Sequence, residues 1–254
     1  MKPIVTIIIP NFNKQEYLEE CINSVIKQSF NDWNLIIIDD CSTDDSISLL
    51  SMFEKNKKIE LIRLKKNKGP SFCRNLGMRL SDTKYLAFLD SDDYWDQDKL
   101  RDQMYFMTKE KFQITFSDYY FFRENQKEKI IKSTNVPISF ELKTFIKNSS
   151  INTSTLIIEK SIIGNTRFKK IPLLEDYIFK CDLFRKGISA HKLNKTNTAY
   201  RLTHETRSSD KIKNLLILWS VNKKYNNLSF FKNLISVICI SLNSLKKYGL
   251  KKYK

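Results

Sequence analysis

Acidic side chains gather at one point of the sequence, directly after a run of apolar residues. The segment "YLAFLDSDDYWD" places Asp90, Asp92 and Asp93 at the end of a predicted buried strand, and a second apolar run, "NLIIIDD", ends in Asp39 and Asp40. Crowded like charges need a proton or a cation to coexist. Because Mg²⁺ and Mn²⁺ prefer oxygen ligands, the pattern predicts a divalent metal site with open positions for diphosphate oxygens.

A simpler structural role also suits these acids. Asp92 or Asp93 could cap a helix that begins near Trp95, because aspartate is a preferred N-cap residue. The acidic end of the second strand favours the metal site, since the carboxyl ends of parallel strands meet at one edge of a sheet. A run of adjacent acids does not by itself exclude the cap.

Apolar strands alternate with amphipathic helices along the first half of the chain. The predicted strands are "IVTIIIP", "NLIIIDD", "IELIRL" and "YLAFL". Helical periodicity marks "KQEYLEECINSVIKQ", "DDSISLLSMFEKN", which Asp44 caps, and "PSFCRNLGMRL", which has Pro70 in its first turn. Uniformly apolar strands between helices are typical of a parallel sheet covered on both faces. The sequence therefore predicts a Rossmann-like α/β fold, with ligands bound beyond the carboxyl ends of its strands.

The second half of the chain has a looser pattern. The segments "FQITFSDYYFF", "NTSTLIIEK" and "ISAHKLNKTNTAYRL" are predicted strands, and "LLEDYIFKCDLFRKG" is a predicted helix that Gly187 ends. We expect one domain over residues 1–207, with a regular first half (1–110) and a looser second half (111–207). A helical tail (208–254) follows it.

Charge is distributed unevenly over the 254 residues, whose formal net charge is +16. Residues 1–100 hold 14 Lys and Arg against 16 Asp and Glu, whereas residues 211–254 hold ten Lys and no acid. The basic end is expected to seek anions, but neither a nucleic-acid-binding fold nor a base-stacking array of aromatics accompanies it. A nucleic-acid partner is therefore not predicted.

The five cysteines show neither a CxxC pair nor metal-ligand spacing, and their odd number argues against a disulfide framework. A reducing compartment, the cytoplasm, fits them best. The first residues, "MKPIVTIIIPNF", are too short and too interrupted an apolar run for a signal peptide. No segment has the roughly 18 consecutive apolar residues of a membrane span.

Glycine loops that bind phosphate are absent from the sequence. No GxGxxG follows the first strand, as a dinucleotide oxidoreductase would need, and there is no GxxxxGK[ST] P-loop. A metal ion is therefore the more suitable phosphate partner.

Three motifs together resemble a known enzyme family. The segments "VTIIIPNFNKQEYLEECINSVIKQSFNDWNLIIIDDCSTDDS", "NKGPSFCRNLGM" and "YLAFLDSDDYW" are similar in order and spacing to the nucleotide-binding half of the family 2 glycosyltransferases, which have the GT-A fold. The resemblance covers residues 3–110. It implies that residues 1–207 are a catalytic domain, in which residues 1–110 form the nucleotide-binding half and residues 111–207 form the acceptor-side half. It implies an inverting enzyme that moves a hexosyl or N-acetylhexosaminyl group from a nucleoside-diphosphate sugar, commonly UDP-linked, to an acceptor hydroxyl.

The resemblance also implies a set of donor-binding residues. Phe12 takes the position that stacks on the base, and Asp40 takes that of the acid that hydrogen-bonds the uracil edge; an aromatic face plus one acceptor can hold a uracil imide. Asp39 is structural or near the ribose. Core packing of Phe12 and a helix-surface ion pair of Arg74 are the structural alternatives. The full nucleotide-sugar set comprises Pro10, Phe12, Asn13, Asp39, Asp40, Arg74, Asp90 and Arg207.

The same resemblance implies the metal ligands. The "DSD" segment matches the family's metal motif, so that Asp92 would contact Mn²⁺ or Mg²⁺ and Asp90 would contact the ribose, or the metal through water. Asp93 would support a ligand or cap a helix, and which of Asp92 and Asp93 ligates directly stays open. His204, in "AYRLTHETRSS", would be a further metal ligand, with a surface histidine as the alternative.

Catalysis needs a base, because an acceptor hydroxyl has a pKa far above 7. The segment "IPLLEDYIFKCDLFRKG" resembles the family's Glu-Asp motif, with Asp176 at the base position and Glu175 beside it. Both acids also suit the first turn of a helix, where the macrodipole favours negative charge. Arg207 would hold the diphosphate. His191 lacks such a context and is interpreted as structural.

The segment from residue 228 to residue 254 predicts a basic amphipathic helix. Its apolar face comprises Phe231, Leu234, Ile235, Ile238, Leu242 and Leu245, and its polar face comprises Ser229, Lys232, Ser236, Asn243 and Lys247. Such a helix can lie in an anionic membrane interface. The alternative is that its apolar face packs on the catalytic domain.

Together these features predict a cytoplasmic, metal-dependent, inverting glycosyltransferase that is peripheral at the inner face of the cell membrane. The family and the basic tail suggest a cell-surface glycan, such as a lipopolysaccharide or capsule precursor, as acceptor. A nucleotidyltransferase is one alternative, but it would need a glycine-rich basic loop that "PNFNKQEY" lacks. A non-catalytic nucleotide-sugar-binding scaffold is another, disfavoured because the DSD, Glu-Asp and His segments occur together.

Overall fold

The computed structural model describes residues 3–122, 129–130, 136–202 and 211–248. The strands within these ranges are β1 Val5–Asn11, β2 Trp33–Asp39, β3 Ile59–Arg63, β4 Tyr85–Phe88, β5 Tyr94–Trp95, β6 Ile114–Phe122, β7 Lys129–Ile130, β8 Ser139–Phe140, β9 Ile157–Glu159 and β10 Ala190–Arg201. The α-helices are α1 Gln15–Ile26, α2 Ser46–Ser51, α3 Pro70–Leu80, α4 Lys99–Lys109, α5 Leu142–Phe145, α6 Glu175–Phe184, α7 Lys211–Lys224 and α8 Phe230–Tyr248. Short 3₁₀ turns occupy Thr153–Thr155 and Lys160–Ile162.

The strands form one mixed sheet in the order β3-β2-β1-β4-β9-β6-β10-β5. The four strands of the first half are parallel, and β6 and β10 are parallel to each other. Strand β9 lies antiparallel between β4 and β6 and joins the two halves. The mainly parallel sheet predicted from the apolar runs is confirmed, and the short antiparallel strands β5, β7 and β8 extend it along β6 and β10.

Both faces of the sheet are covered, as the uniformly apolar strands predicted. In β1, Ile7 and Ile9 point into a core formed with α1 and α4, whereas Ile8 points into the opposite core formed with α3 and α6. A Cβ added to Gly77 of α3 would lie 2.6 Å from Cγ2 of Ile8, so α3 approaches β1 at a position where only glycine fits. This close approach holds the start of α3 beside the carboxyl ends of the strands.

Asp44 joins the starts of two helices. Its Oδ1 accepts a hydrogen bond from Ser46 N at 3.1 Å and its Oδ2 accepts one from Gln15 N at 3.0 Å. The predicted cap of α2 is therefore made by Asp44, which in addition binds the first amide of α1. The loop after β1 and the loop after β2 are held together by this side chain, beside the predicted nucleotide site.

The predicted tail helix forms as α8, and the residues of its predicted apolar face are exposed. Phe231 is 74% exposed, and Leu234, Ile235, Ile238, Leu242 and Leu245 are exposed as well. The inward side of α8 consists of the buried Asn233 and Ser236 together with Val237 and Ile240, which pack against the core. The hydroxyl of Ser236, on the predicted polar face, donates to the carbonyl oxygen of Ile146. No helix of the described residues is long and apolar enough to cross a membrane.

Candidate functional site

A cleft of about 1060 Å³ opens beyond the carboxyl ends of β1, β2 and β4. One side is lined by the loops that follow these strands and by the start of α3. The other side is lined by residues 149–153 and 170–176, which belong to the second half of the chain. The cleft therefore lies where the predicted nucleotide half and acceptor half meet.

Most of the predicted site residues line this cleft. They are Pro10, Phe12, Asp40, Arg74, Asp90, Asp92, Glu175 and Asp176. Asn13, Asp39 and Asp93 do not line it. His204 and Arg207 lie outside the described residues.

Phe12 and Asp40 both line the cleft, but their side chains have quite different environments. Phe12 is 40% exposed, which makes an aromatic face available there. Asp40 is almost fully buried, and its two oxygens accept hydrogen bonds from the backbone amides of Lys68 and Gly69, each at 2.7 Å. Gly69 adopts φ +85°, a left-handed conformation that favours glycine. Asp40 thus holds the loop before α3 against the end of β2.

The neighbouring residues Asn13 and Asp39 support the walls of the cleft. Asp39 accepts hydrogen bonds from Asn11 Nδ2 at 2.8 Å and from Ser42 Oγ at 2.6 Å. Asn13 Oδ1 accepts a hydrogen bond from Thr43 N at 2.8 Å. Both residues fasten the loop after β1 to the loop after β2, which agrees with the structural role predicted for Asp39.

Arg74 links the two acidic motifs of the cleft. Its guanidinium is buried and donates to Asp90 Oδ1 at 2.6 Å and to Glu175 Oε1 at 3.1 Å. Burial opposes the charge of Arg74, but these two carboxylates raise its pKa above the usual value, so it remains a cation. The bridge ties the turn after β4 to the start of α6 and so fixes the distance between the two motifs.

Asp92 and Asp93 have different environments although they are adjacent. Asp92 is 27% exposed and pairs with Lys14, whose Nζ lies 3.0 Å from Oδ2. Asp93 is buried and accepts hydrogen bonds from Ser154 Oγ at 2.6 Å and from the backbone amide of Arg201 at 3.1 Å. Asp92 therefore faces the cleft, whereas Asp93 joins the turn after β4 to the second half of the sheet.

The side chains at the cleft have the chemistry to bind a hard divalent cation. Asp90 and Asp92 present partly exposed carboxylate oxygens, which suit Mg²⁺ or Mn²⁺. Each of these carboxylates already forms an ion pair, Asp90 with Arg74 and Asp92 with Lys14. Positive charge therefore already compensates the two acids. Over the part of the chain that the structure describes, no three His, Cys, Asp or Glu residues are grouped to hold a metal ion. The described side chains therefore suit a cation that is held by one or two protein carboxylates.

Asp176 lies in the first turn of α6 and lines the cleft. Its Oδ2 accepts hydrogen bonds from Lys180 Nζ at 2.7 Å and from Thr153 Oγ1 at 3.2 Å. Burial acts to raise the pKa of Asp176, but the Lys180 ammonium, the Arg74 guanidinium and the hydrogen bond from Thr153 together lower that pKa below the ordinary carboxyl value. Asp176, whose side chain is 34% exposed, is therefore ionised at neutral pH and reachable from the cleft.

Glu175 beside it is the more enclosed acid. Burial, followed by the negative charge of Asp176, raises the pKa of Glu175, and the ion pair with Arg74 offsets only part of that rise. Of the two acids in the Glu-Asp segment, Glu175 thus forms a structural ion pair, and Asp176 provides a charged group at the cleft.

Among the described residues, three basic side chains that contact the acidic residues Asp92 and Asp176 were not predicted from the sequence. Lys14 pairs with Asp92, Lys180 pairs with Asp176, and Arg201 donates through Nε to the carbonyl oxygen of Asp92 at 3.0 Å. The spacing of four residues between Asp176 and Lys180 on a predicted helix was a usable signal. Lys14 and Arg201 had no such signal, because their acidic partners are remote in sequence.

His191 does not line the cleft, whereas Cys73 is the one cysteine among the described residues that line it. The ring of His191 stacks on Phe112 with centroids 3.7 Å apart, and burial lowers its pKa. The five cysteines are free, as their odd number and spacing predicted.

Comparison with known proteins decides the family. Residues 6–187 match the family described as glycosyl transferase family 2. The chain belongs to this family. The resemblance seen in the sequence motifs is therefore confirmed, and glycosyltransferase activity is supported.

Relatives match along the whole chain. A putative teichuronic acid biosynthesis glycosyltransferase, TuaG of Bacillus subtilis, is 32% identical over 97% of this chain and 98% of its own length. WfaP of Escherichia coli, a UDP-Glc:α-D-GlcNAc-diphosphoundecaprenol β-1,3-glucosyltransferase, is 30% identical over 96% of this chain and 95% of its own length.

A solved structure confirms the GT-A fold. The mannosyltransferase PcManGT of Pyrobaculum calidifontis, in complex with GDP-Man and Mn²⁺, superposes with a TM-score of 0.71 at 13% identity. The superposition covers 97% of this chain and 74% of that one.

Proposed function

We propose that this protein is an inverting glycosyltransferase that moves a hexosyl or N-acetylhexosaminyl group from a UDP-sugar to a hydroxyl of a cell-surface glycan precursor. The observation that carries the proposal is the single cleft in which Phe12, Asp92 and Asp176 meet. The name of WfaP supports a UDP-sugar donor and a glycolipid acceptor, and that of TuaG supports a cell-wall glycan. A lipopolysaccharide or capsule precursor belongs to the same chemical class.

The donor would bind at the end of the cleft nearest β1 and β2. Phe12 offers an exposed ring on which the base stacks. Asp40 uses one lone pair of each oxygen for the amides of Lys68 and Gly69, and a remaining lone pair can accept the uracil imide hydrogen. Pro10 completes this wall of the cleft.

Asp92 and Asp90 would hold a divalent cation, Mn²⁺ or Mg²⁺, and His204 is the proposed further ligand. When bound, such a cation neutralises the diphosphate leaving group. The Mn²⁺ in the PcManGT complex supports this choice. Lys14 now occupies one oxygen of Asp92, and on metal binding its ammonium would become available to the diphosphate, together with Arg207.

Asp176 would act as the base that takes the acceptor proton. Lys180 and Thr153 occupy Oδ2, and within the described residues no hydrogen bond engages Oδ1, which can receive the proton. Attack on the anomeric carbon from the face opposite the diphosphate inverts its configuration. Glu175 holds Arg74, which keeps Asp90 and the start of α6 in place during transfer.

We also propose that residues 1–207 form the catalytic domain and residues 208–254 a helical tail, and that the enzyme works in the cytoplasm at the inner face of the membrane. A lipid-linked acceptor would require that location, and a nucleotide sugar is supplied there. An acceptor of this kind would approach the cleft from the side of residues 149–153 and 170–176, which is the side opposite the base-binding end.

The donor and metal are tested together by thermal unfolding with UDP, GDP, CDP or ADP, each with Mn²⁺, Mg²⁺ or a chelator. At about 100 times its dissociation constant a ligand stabilises the folded state by about 2.7 kcal/mol. We expect stabilisation by UDP that depends on the metal and is lost in Asp92→Asn. Asp93→Asn is the matched control and should keep the effect, because Asp93 does not line the cleft. Loss in Asp93→Asn alone would reverse the assignment of the metal ligand.

The base is tested by Asp176→Asn, with transfer measured from UDP-glucose and UDP-N-acetylglucosamine to a lipid-diphosphate-linked sugar. The variant should bind UDP as the wild type does and lose transfer by about 10²–10⁴-fold. Asp182→Asn, on the same helix but away from the cleft, should stay active. A wild type that binds UDP but transfers no sugar would favour the non-catalytic scaffold.

A further inference from the structure

The two C-terminal helices present a continuous apolar surface to the outside. We call it the tail surface, and it consists of Leu216, Trp219, Phe230, Phe231, Leu234, Ile235, Ile238, Leu242 and Leu245. Phe231 is 74% and Leu216 is 67% exposed. The rings of Trp219 and Phe230 lie 5.4 Å apart and connect α7 to α8. Contiguous exposed apolar patches on a soluble domain indicate an interaction site.

Helix α8 is held in this orientation by its polar side. Asn233 Nδ2 donates to the carbonyl oxygen of Trp219 at 3.0 Å, and Asn243 Nδ2 donates to that of Lys147 at 3.2 Å. Ser236 accepts from Asn222 Nδ2 at 2.9 Å and donates to the carbonyl oxygen of Ile146. Val237 and Ile240 of α8 also pack inward against the core. An ordinary surface helix buries its apolar face. Here the inward side combines these two residues with hydrogen-bonded polar side chains, so the predicted apolar face is left for a partner.

The charge of this region indicates what the partner is. Residues 211–254 hold ten Lys and no acid. Lys213, Lys223, Lys224, Lys232 and Lys246 are exposed on the same two helices. A second copy of the chain would bring two such basic surfaces together, and their repulsion opposes pairing. An anionic lipid surface satisfies both features, because it takes apolar side chains at the acyl boundary and Lys at the phosphates.

We propose that the tail surface docks the protein onto an anionic lipid bilayer, with α7 and α8 lying in the interface. Phe231, Ile235, Ile238 and Leu242 would enter the boundary between headgroups and acyl chains, and the lysines would contact headgroup phosphates. No cleft-lining residue comes from α7 or α8, so docking leaves the donor site open. Docking needs neither nucleotide nor acceptor and can therefore be tested apart from the transfer reaction.

The test is vesicle co-sedimentation of the full-length chain without nucleotide. Vesicles are phosphatidylcholine alone or phosphatidylcholine with phosphatidylglycerol. We expect at least about tenfold tighter binding to the anionic vesicles, weakened by high salt. Phe231→Ser/Ile238→Ser should reduce binding by about tenfold or more while leaving UDP-induced stabilisation unchanged, since both side chains are exposed.

Two further variants make the result specific. Met52→Ser/Ile138→Ser removes equally exposed apolar side chains elsewhere and should bind vesicles as the wild type does. Lys213→Gln/Lys232→Gln/Lys246→Gln should lose the preference for phosphatidylglycerol. Wild type that stays in solution with both vesicles would overturn the proposal. So would a dimer, seen by analytical ultracentrifugation, that Phe231→Ser/Ile238→Ser dissociates while the wild type ignores vesicles.

Discussion

The state of Asp176 depends on one buried neighbour. Lys180 is almost fully buried and donates to Asp176, to Thr153 Oγ1 and to the carbonyl oxygen of Ile151. It therefore orients Asp176 and keeps it ionised, and in the same contacts it holds the loop that forms the acceptor side of the cleft. We interpret Lys180 as a positioning residue for the proposed base.

Removing the charge of Lys180 should change the pH dependence of transfer. In Lys180→Met, burial of Asp176 persists while the ammonium that lowers its pKa is gone, so that pKa rises. The base must be ionised, so the acid limb of the profile of kcat/KM against pH should move to higher pH. Steady-state transfer rates between pH 4 and pH 9 measure this shift.

A charge-conserving variant separates this role from simple support of the loop. Lys180→Arg should keep the acid limb close to that of the wild type, even if its rate is lower. A Lys180→Met profile that is lowered equally at every pH, with an unmoved acid limb, would show that Lys180 supports the loop and does not control Asp176.

At the scale of residues, the sequence predicted the acids of the candidate site but not the basic side chains that pair with them. Asp92 and Asp176 stand in short motifs that can be seen in the sequence. Arg74 bridges Asp90 and Glu175, which are 16 and 101 positions away, and no local pattern indicates such a contact. The roles of Asp92 and Asp93 were also open in the sequence, because burial separates two adjacent acids only after the turn has folded.

At the scale of elements, the two loops that shape the donor end of the cleft share one cap. Asp44 accepts hydrogen bonds from the first amides of α1 and α2, whereas Asp45 makes no side-chain cap. Partial burial acts to raise the pKa of Asp44, but the hydrogen bonds from Ser46 and Gln15 lower it below 3.8 overall. The stabilisation by Asp44 is therefore complete above its ordinary pKa and is lost as the pH falls through its lower folded value.

Asp44→Ala should lower the free energy of unfolding by about 1–2 kcal/mol at pH 7, because two helix starts lose their acceptor. The difference from wild type should shrink as the pH falls through the lowered pKa of Asp44, where the wild-type carboxyl becomes protonated. Urea unfolding at pH 7 and over a series of lower pH values measures it. Asp45→Ala is the control and should differ little from wild type; equal losses in both variants would contradict the cap.

The helices and strands were largely predictable from the sequence, whereas the pairing of the strands in the sheet was predictable only in part. Apolar runs between helices indicated the parallel block of β1 to β4, which local periodicity and short connections determine. The reversal at β9 was not predictable, since it depends on which sheet edge is free when the second half folds. For α8, periodicity identified an apolar face but not its direction, because Asn233 and Ser236 anchor the opposite face through contacts remote in sequence.

At the scale of the whole molecule, the C-terminal helices share the core of the catalytic sheet. Leu218 and Val221 of α7 belong to the same buried cluster as Ile178 of α6 and Phe88 of β4. The acid-lined cleft and the basic tail surface thus lie on one packed body, although their charges are opposite. A nucleotide-sugar site and a lipid-docking face held together in this way would keep donor and membrane-bound acceptor at a constant separation.

Because this core is shared, we expect heat to unfold the described helices and sheet in one cooperative transition.

A variant of Asn222 tests the connection between the C-terminal helices and α6. Asn222 accepts a hydrogen bond from Tyr177 at 2.8 Å and donates one to Ser236 at 2.9 Å, all in buried surroundings. Asn222→Ala removes one buried hydrogen bond from each partner, although Ser236 keeps its bond to Ile146 and Tyr177 keeps that from Asn226, and it should destabilise the whole protein by about 1–3 kcal/mol. Calorimetry should show one transition shifted downward by several degrees, about 2–4 °C per kcal/mol, while Ser220→Ala on the exposed side of α7 leaves Tm unchanged. Two separate transitions, with only the smaller one sensitive to Asn222, would show instead that the tail folds independently of the sheet and that its docking face is not rigidly tied to the cleft.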